Sequence, residues 1–231
     1  MPNPESLPDS LVLLSGGLDS AVLAAQEART HFVHPVYVAA GLTWEEGEQR
    51  LVQELLSHPP FSGPASHVAP LVRLEFTMRD VYAASHWAIR GTPPAYDTLD
   101  EDVYLHGRNI ALLSKAAIYA ATRRISRLVV APLAGNPFPD ATQKFFEAMN
   151  RALSLGLDAP VEISAPFAHL HKEDVVKLGA ELGVPFERTL SCMNPAGILH
   201  CGLCSKCRER RDAFYGAGID DPTTYANVSP R

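Results

Sequence analysis

The segment that follows the first apolar run constrains the fold of this chain more than any other feature. Residues 11–14 (LVLL) form a short apolar run typical of a buried strand, and the glycine-containing loop 15–20 (SGGLDS) leads from it into the helix-prone segment 20–29. A strand that passes through such a turn directly into a helix is the unit from which parallel α/β sheets are built. The fold is therefore predicted to begin with a βα unit.

The alternation of strands and helices continues along the chain. Further strands are predicted over 32–40, 67–76, 128–131 and 161–164, and further helices over 44–56, 109–123, 141–155 and 172–182. Alternating elements of this kind form parallel strands joined by right-handed crossovers, with helices on both faces. The predicted fold class is α/β, a Rossmann-like parallel sheet in which ligands bind at the carboxyl ends of the strands.

Two segments fall outside this alternation. Residues 91–106 are rich in Pro, Asp and aromatic side chains, and a loop of this length is predicted to be either functional, as a lid, or disordered. Residues 216–231 are predicted to form a loose C-terminal tail. We expect an α/β domain over 1–188 and a small cysteine-containing module over 189–231, in one compact unit.

Composition narrows the class of protein. A chain of 231 residues that is 46% hydrophobic can bury the core of one large domain. The formal net charge of -6 gives no general attraction to a phosphate backbone, so no stable nucleic-acid partner is expected. Residues 1–10 lack a basic residue and a long apolar run, and no later run has the length of a membrane span; we expect a soluble, cytoplasmic protein without a membrane partner.

The loop 15–20 has the chemistry of a phosphate site. Its two glycines allow positive φ angles, so that successive N–H groups can converge on one anion, and the following helix adds its positive dipole end. An aspartate in this loop would repel phosphate unless it binds Mg²⁺ or caps the helix. The alternative is a tight turn in which Ser and Asp are only caps, but the position after the first strand favours a nucleotide site. The predicted cofactor-binding residues are Ser15, Gly16, Gly17, Leu18, Asp19 and Ser20.

All four cysteines lie within one short segment near the C-terminus. Their spacing is C-x8-C-x2-C-x2-C, in which the closely spaced three can wrap one ion and the first can close a tetrahedral site. Four thiolates fill the coordination shell of zinc and leave no position for water, which indicates a structural ion. An iron–sulfur cluster and four unliganded thiols are the alternatives. The predicted metal ligands are Cys192, Cys201, Cys204 and Cys207.

These motifs resemble those of a known family. The loop 15–20 resembles the PP-loop of the N-type ATP pyrophosphatases, which cleave ATP to AMP and pyrophosphate. Residues 189–193 (TLSCM) and 201–208 (CGLCSKCR) resemble the C-terminal zinc motif of the 7-cyano-7-deazaguanine synthases, the QueC or ExsB-like family. The resemblance covers residues 11–214, with exact matches confined to the loop, the triplet 107–109 and the cysteine cluster.

The resemblance implies roles for particular residues. The Gly-Arg-Asn triplet opens the predicted helix 109–123, where its N–H groups and guanidinium can meet an anion; an ordinary helix start is the alternative. In the family a lysine of the stretch around Lys172 is thought to reach the nucleotide phosphates, and a solvated lysine is the alternative. The implied catalytic residues are Asp19, Arg108 and Lys172, and the implied substrate-binding residues are Gly107, Arg108, Asn109 and Asp140.

One segment departs from the family. Typical members carry Pro-Asp-Cys-Arg where this chain has Pro139, Asp140, Ala141 and Thr142. Asp140 therefore carries over, whereas the cysteine and the arginine do not. Asp140 with Gln143 also fits a capping box at a helix start. Because the segment follows a strand and is expected to face the base of the substrate, the departure leaves open which carboxylate is the substrate.

The activity that the resemblance implies is a ligase reaction in queuosine biosynthesis. ATP adenylates 7-carboxy-7-deazaguanine, ammonia displaces AMP to give an amide, and a second ATP converts the amide into the nitrile of 7-cyano-7-deazaguanine (preQ0). ATP, Mg²⁺ and one structural Zn²⁺ are the implied cofactors, and a homodimer is the implied assembly. The alternatives are a related ligase for another carboxylate or a macromolecule, a tRNA thiolase or lysidine synthetase, which the acidic charge disfavours, and a non-catalytic nucleotide sensor.

Overall fold

The core of the protein is a five-stranded parallel sheet, seen in a computed structural model that describes residues 7–228. Its strands are β1 (Asp9–Leu13), β2 (Phe32–Ala39), β3 (Val72–Glu75), β4 (Arg127–Val129) and β5 (Glu162–Ser164), in the order β3-β2-β1-β4-β5. All four strand pairs are parallel. The predicted α/β parallel-sheet fold is confirmed. Residues 1–6 and 229–231, on which parts of the terminal predictions fall, lie outside the described residues.

Seven helices surround this sheet within the described residues. They are α1 (Leu18–Glu27), α2 (Glu45–Leu56), α3 (Trp87–Arg90), α4 (Arg108–Thr122), α5 (Gln143–Leu157), α6 (Lys172–Glu181) and α7 (Ser205–Ala217). Of these, α3 and α7 were not predicted, whereas the other five were. No helix in this part of the chain has the length and apolar composition needed to cross a membrane.

Both faces of the sheet are buried, which explains the continuous apolar run at β1. Val12 lies in a cluster with α1 and α6, and Leu11 lies in a second cluster with α4 and α5. Neither side chain is exposed to solvent. The sequence of a strand that is covered on both faces is a continuous apolar run rather than an alternation of apolar and polar residues.

β3 is shorter than the predicted strand 67–76. Val33 N donates to His67 O, and Val33 O accepts a hydrogen bond from Ala69 N, so pairing with β2 begins at this point. Pro70 follows and has no N–H to donate, so the regular ladder resumes only at Val72.

The predicted capping box at the start of α5 is wrong. Thr142 is the N-cap residue, and its hydroxyl accepts a hydrogen bond from Phe145 N at 3.2 Å. Asp140 lies in a preceding 3₁₀ turn and instead accepts Asn109 N at 3.2 Å. Asp140 therefore does not cap α5 and instead contacts the start of α4.

The prediction of a loose C-terminal tail is also wrong for the described residues. The tail begins inside α7, which packs on α6. Beyond α7 the chain returns to the cysteine segment, where Ala226 N donates to His200 O at 2.8 Å and Asn227 Nδ2 donates to Cys201 O at 2.9 Å. The chain after α7 is thus held against the cysteine segment by hydrogen bonds at Ala226 and Asn227.

Residues 91–106 are docked on the N-terminal end of α7. Ala95 forms an isolated bridge with Cys204, and Arg208 donates to Thr98 O at 3.1 Å. Asp100 lies 3.6 Å from Lys206 Nζ. These contacts place the segment beside the cysteine cluster, while its role as a lid stays a prediction.

We expect Gly179→Ala to destabilise the fold because α6 crosses α1 closely at this residue. A Cβ at position 179 would lie 2.5 Å from Phe186 Cζ and 2.6 Å from Val22 Cγ2. Such overpacking costs roughly 1–3 kcal/mol of unfolding free energy, measurable by urea denaturation. Gly156→Ala is the matched control in α5, where a Cβ meets nothing within 4 Å, and it should leave stability unchanged or raise it by up to ~1 kcal/mol. Equal stability of the two variants would contradict the close packing.

Candidate functional site

The loop between β1 and α1 has a tight conformation that requires glycine. Gly16 has a φ of 82°, and a Cβ at this residue would lie 3.2 Å from Val52 Cβ of α2. Ser15 Oγ accepts Gly17 N at 3.1 Å, and Ser20 Oγ donates to Gly17 O at 3.0 Å. The two hydroxyls therefore fix the turn that leads into the N-terminus of α1.

The cysteine segment supports the loop from the other side. Leu190 N donates to Gly16 O at 2.8 Å. Leu190 is nearly inaccessible to solvent and lies two positions before Cys192. The position of the loop is thus linked through one backbone hydrogen bond to the segment that carries the first cysteine.

Lys172 and Asp19 form an ion pair at the loop. Lys172 Nζ, at the start of α6, lies 2.6 Å from Asp19 Oδ2 and 2.9 Å from Glu209 Oε1 of α7. Burial lowers the pKa of Lys172, but the two carboxylates outweigh this effect and hold the pKa above its usual value, so the ammonium stays charged. Lys172 is therefore not a freely solvated lysine.

Asp19 does not cap α1, because Gly17 is the N-cap residue and Asp19 lies in the first turn. Its second oxygen, Oδ1, is buried and has no hydrogen-bond partner among the described residues. A buried carboxylate oxygen without a donor is a candidate ligand for a hard cation such as Mg²⁺, which proteins bind through one or two carboxylates together with substrate phosphates.

Glu209 is a site residue that the sequence analysis missed. Burial raises its pKa, but Lys172 and Lys206 lower it by more, so the carboxylate stays ionised. Lys206 and Glu209 are three residues apart on one face of α7 and form an ion pair. This spacing was the available signal, but α7 itself was not predicted.

Two adjoining cavities open at the carboxyl ends of β1, β2 and β4. The inner cavity, of about 300 Å³, has walls that include the apolar side chains of Leu13, Val36, Val38, Leu113, Val130 and Phe146. The outer cavity, of about 470 Å³, has walls that include Trp44, Trp87, Asp100, Lys172, Lys206 and Glu209. Both are lined by Ser15, Gly17, Asp19, Glu48 and Arg108. The crevice lies where the strand order reverses between β1 and β4, the usual ligand site of such sheets.

The predicted loop residues divide between these walls. Ser20 lines only the inner cavity, Leu18 lines only the outer one, and Gly16 lines neither. Gly107 also lies outside both walls; it precedes α4 with a φ of 75°. The structure therefore brings together most of the predicted site, with the two positive-φ glycines shaping the backbone behind it.

Arg108 is placed at the junction of the two cavities by the start of α4. Its Nε is buried and has no hydrogen-bond partner within residues 7–228. A guanidinium carries donors in a fixed fork that suits a carboxylate or phosphate. Arg108 can therefore receive an anion from either cavity.

Asn109 and Asp140 connect α4 to the segment after β4. Asn109 N donates to Asp140 Oδ2 at 3.2 Å, and Asn109 Nδ2 donates to Asp140 O at 3.0 Å. Burial raises the pKa of Asp140, although the hydrogen bonds from Asn109 act in the opposite direction. Both side chains lie on the wall of the inner cavity.

Glu48 of α2 is the second site residue that the sequence analysis missed. Its side chain is almost fully buried, and Oε2 accepts the hydroxyl of Tyr37 at 2.8 Å. Burial raises the pKa of Glu48 to about 7, while Arg108 and the Tyr37 hydrogen bond lower it. The sequence pattern of α2 did not single out this residue, because other acidic residues lie on the exposed face of the same helix.

The four cysteines form a compact buried cluster. Their Sγ atoms all lie within 4.8 Å of one another, with 3.9 Å between Cys192 and Cys204 and 3.6 Å between Cys204 and Cys207. A tetrahedral S₄ site with metal–sulfur bonds of about 2.3 Å needs sulfurs about 3.8 Å apart. Cys192 Sγ also accepts two backbone N–H groups. The geometry and the donor set therefore fit one metal ion.

His200 is adjacent to this cluster but is not part of it. Its Nε2 accepts Ser191 N at 3.1 Å. Burial lowers the pKa of His200 to about 3, so the ring is neutral at physiological pH. His200 is therefore a hydrogen-bonded loop histidine and not a member of the cysteine cluster.

We expect Glu48→Gln to stabilise the protein at alkaline pH relative to wild type. Folding raises the pKa of Glu48 from 4.5 to about 7. The folded state of the wild type is therefore most stable while the carboxyl is protonated, and it loses this stability as the pH rises through that interval. The shift corresponds to a difference on the order of 3 kcal/mol, which the uncharged amide avoids. Thermal melting at about pH 5 and about pH 8 should show the gain only at the higher pH. A pH-independent difference would contradict the buried carboxyl.

The family profile and the individual relatives that match this chain carry related names. The profile of a family described as "Queuosine biosynthesis protein QueC" matches residues 9–218. A protein from Porphyromonas gingivalis named 7-cyano-7-deazaguanine synthase is 30% identical over 94% of this chain and 97% of its own length. One of the same name from Caldicellulosiruptor saccharolyticus is 32% identical over 94% and 95%.

A solved structure described as a predicted subunit of a tRNA methyltransferase from Methanocaldococcus jannaschii also aligns with this chain. It covers 76% of this chain and 75% of its own, with 15% identity and a TM-score of 0.47. A similarity of this size has no bearing on function.

Proposed function

Because the chain belongs to the queuosine biosynthesis family QueC, we propose that it converts 7-carboxy-7-deazaguanine and ammonia into 7-cyano-7-deazaguanine at the expense of ATP. The observation that carries this proposal is the Lys172–Asp19 pair, which lies at the loop between β1 and α1 and faces a cavity. A cation, an acceptor for a metal ion and the N-terminus of a helix at one place suit a leaving pyrophosphate.

The two cavities suit the two reactants. The inner cavity has mostly apolar walls and lies at the strand ends, which suits the adenosine part of ATP. The outer cavity has two tryptophans, Trp44 and Trp87, stacked with ring centroids 5.6 Å apart, and it carries charged groups. A flat, polar deazapurine fits such a wall. The reacting carboxylate and the α-phosphate would then meet at the shared residues Ser15, Asp19 and Arg108.

The chemistry requires positioning and charge neutralisation. A carboxylate oxygen of the substrate attacks the α-phosphate and pyrophosphate leaves; ammonia then attacks the acyl carbon and AMP leaves. The amide oxygen repeats the first attack on a second ATP, and loss of AMP leaves the nitrile. Lys172 and Arg108 would offset the charge on the phosphates and the carboxylate. Asp19 Oδ1 would hold Mg²⁺, which supplies further neutralisation of the phosphate oxygens.

The cysteine cluster is proposed to hold one structural Zn²⁺. Four buried thiolates leave no open position, which excludes a metal-bound water in this role. The same segment supplies Leu190 to the loop, and α7 supplies Glu209 to Lys172. The ion would therefore stabilise the part of the fold that positions the phosphate site.

A second candidate is a related ligase for another carboxylate. The observation that favours it is the segment 139–142, in which Ala141 and Thr142 stand where typical members have Cys and Arg. Thr142 serves as the cap of α5, and Asn136, Pro137 and Phe138, directly before the segment, lie on the wall of the outer cavity proposed for the acid. Adenylation chemistry would be the same, and only the acid would differ.

The partners of the proposed reaction are small molecules. Ammonia is the nitrogen donor, and no stable nucleic-acid partner is proposed. A homodimer and a cytoplasmic location are the remaining parts of the proposal, and light scattering of the purified protein tests the first.

The proposed function predicts AMP, pyrophosphate and the nitrile from ATP, ammonium and 7-carboxy-7-deazaguanine, with mass spectrometry as the measurement. Asp19→Ala should reduce the rate by about 100-fold or more, because it removes both the metal acceptor and the partner of Lys172. Asp80→Ala, at an exposed aspartate, is the control and should keep wild-type activity. Pyrophosphate release with another acid but not with this one would favour the second candidate. ATP binding without pyrophosphate release from any acid would indicate a nucleotide sensor.

The metal proposal predicts one zinc ion per chain by elemental analysis of the purified protein. Cys207→Ser should lose the ion and lower the melting temperature, because metal binding at such a site contributes several kcal/mol to folding. Iron and inorganic sulfide in place of zinc, with a visible absorption band, would identify a cluster instead. Protein that melts equally with and without a strong chelator would contradict a structural ion.

A further inference from the structure

Glu48 lies at the junction of the two cavities, beside the position proposed for the reacting groups. It lines both cavities together with Ser15, Asp19 and Arg108. One carboxylate oxygen accepts the Tyr37 hydroxyl, and Oε1 accepts no hydrogen bond from the described residues. A carboxyl that is held through one oxygen and lies on the wall shared by both cavities has the geometry of a proton acceptor.

We propose that Glu48 is the catalytic base that removes protons from the nitrogen entering as ammonia. The inference deepens the proposed function and rests on it. It assigns a chemical role to a residue outside the loop, the Gly-Arg-Asn triplet and the cysteine cluster.

The proton balance of the reaction shows why a base is needed. Ammonia brings three hydrogens, and the nitrile nitrogen carries none, so all three leave as protons. One leaves when the C–N bond forms and the bond from carbon to AMP oxygen breaks. A second leaves when the amide oxygen bonds to the α-phosphate and pyrophosphate departs. The third leaves when the second AMP departs and the C≡N bond is completed. Glu48 accepts each proton in turn and returns it to solvent between steps.

The other carboxylates of the site are already engaged. Asp19 and Glu209 share Lys172, and Asp140 is bonded by Asn109. Asp100 is paired with Lys206. Each of these groups is stabilised as an anion or held in a structural contact, which makes it a poorer proton acceptor than Glu48.

The charged surroundings of Glu48 match this role. Burial raises its pKa to about 7, Arg108 of α4 and the hydrogen bond from Tyr37 of β2 lower it, and Glu45 on its own helix raises it. A base is most effective when its pKa is near the working pH, since it is then both available and strong enough to take the proton.

The test uses full-length Glu48→Gln and separates adenylation from amidation. Exchange of labelled pyrophosphate into ATP, with 7-carboxy-7-deazaguanine and without ammonium, reports adenylation alone. We expect this exchange to stay close to wild type, while formation of amide and nitrile falls by about 100-fold or more. Rates divided by the concentration of unprotonated ammonia should show an inflection near pH 7 in wild type, matching the pKa of Glu48, and none in the variant.

Two further variants test the assignment. Tyr37→Phe removes a hydrogen bond that lowers the pKa of Glu48, so it should move the inflection of the wild-type profile to higher pH. Glu46→Gln is the control on the exposed face of α2, where the glutamate pairs with Arg50, and it should leave both reactions and the inflection unchanged.

Several outcomes would overturn the role of Glu48. If folded Glu48→Gln retains amidation with the wild-type pH profile, the base is another group. If it loses exchange as much as amidation, or regains exchange at raised Mg²⁺, Glu48 serves the nucleotide or its metal ion. If wild type itself shows no exchange with any acid, the proposed function fails and the role of Glu48 fails with it.

Discussion

The loop after β1 depends on two contacts from distant parts of the chain. Leu190 N holds Gly16 O from the cysteine segment, and Lys172 holds Asp19 from the start of α6. A loop whose N–H groups converge on a ligand cannot satisfy all its backbone groups internally, so outside contacts must fix its shape. The geometry of the proposed phosphate site is therefore a property of the whole domain.

Both lysines of the site are paired with carboxylates, and within the described residues Arg108 is not. Lys172 lies between Asp19 and Glu209, and Lys206 adds a second cation to Glu209. An unpaired buried charge would cost several kcal/mol. Arg108 is the cation without a salt bridge among the described residues of the cavity walls, and it lies where the reactants would meet. Its position suits a guanidinium that binds an anionic reactant.

The cysteine cluster and the site share structural elements, which explains why the small C-terminal part of the chain matters for chemistry at the sheet. Cys204 is the N-cap residue of α7 and Cys207 lies in its first turn, and the same helix carries Glu209, which pairs with Lys172. Residues 91–106 contact the start of this helix, and three of them, Asp100, Val103 and Leu105, lie on the wall of the outer cavity. The cluster and the loop are thus joined by two direct contacts, from Leu190 to Gly16 and from Glu209 to Lys172.

The sequence by itself determined the parts whose signals are local: the apolar run and glycine turn of the first βα unit, the alternation that requires a parallel sheet, and the spacing of the cysteines. Predictions from the sequence failed where local patterns compete with distant contacts. Asp140 matches a capping box but bonds to Asn109. The tail after α7 has no apolar pattern of its own, and it is held by contacts with residues outside it, since Thr223 accepts Arg210 Nε and Ala226 N donates to His200 O.

Only the tertiary structure decided the composition of the site. Glu48 and Glu209 are ordinary acidic residues of helices by their sequence context, and folding places them beside Arg108 and Lys172. The physical reason is that burial and counterions act through space, so they set the charge state of a side chain without regard to its position along the chain. Local propensity specifies the elements, whereas desolvation and the packing of those elements select the groups that face the cavities.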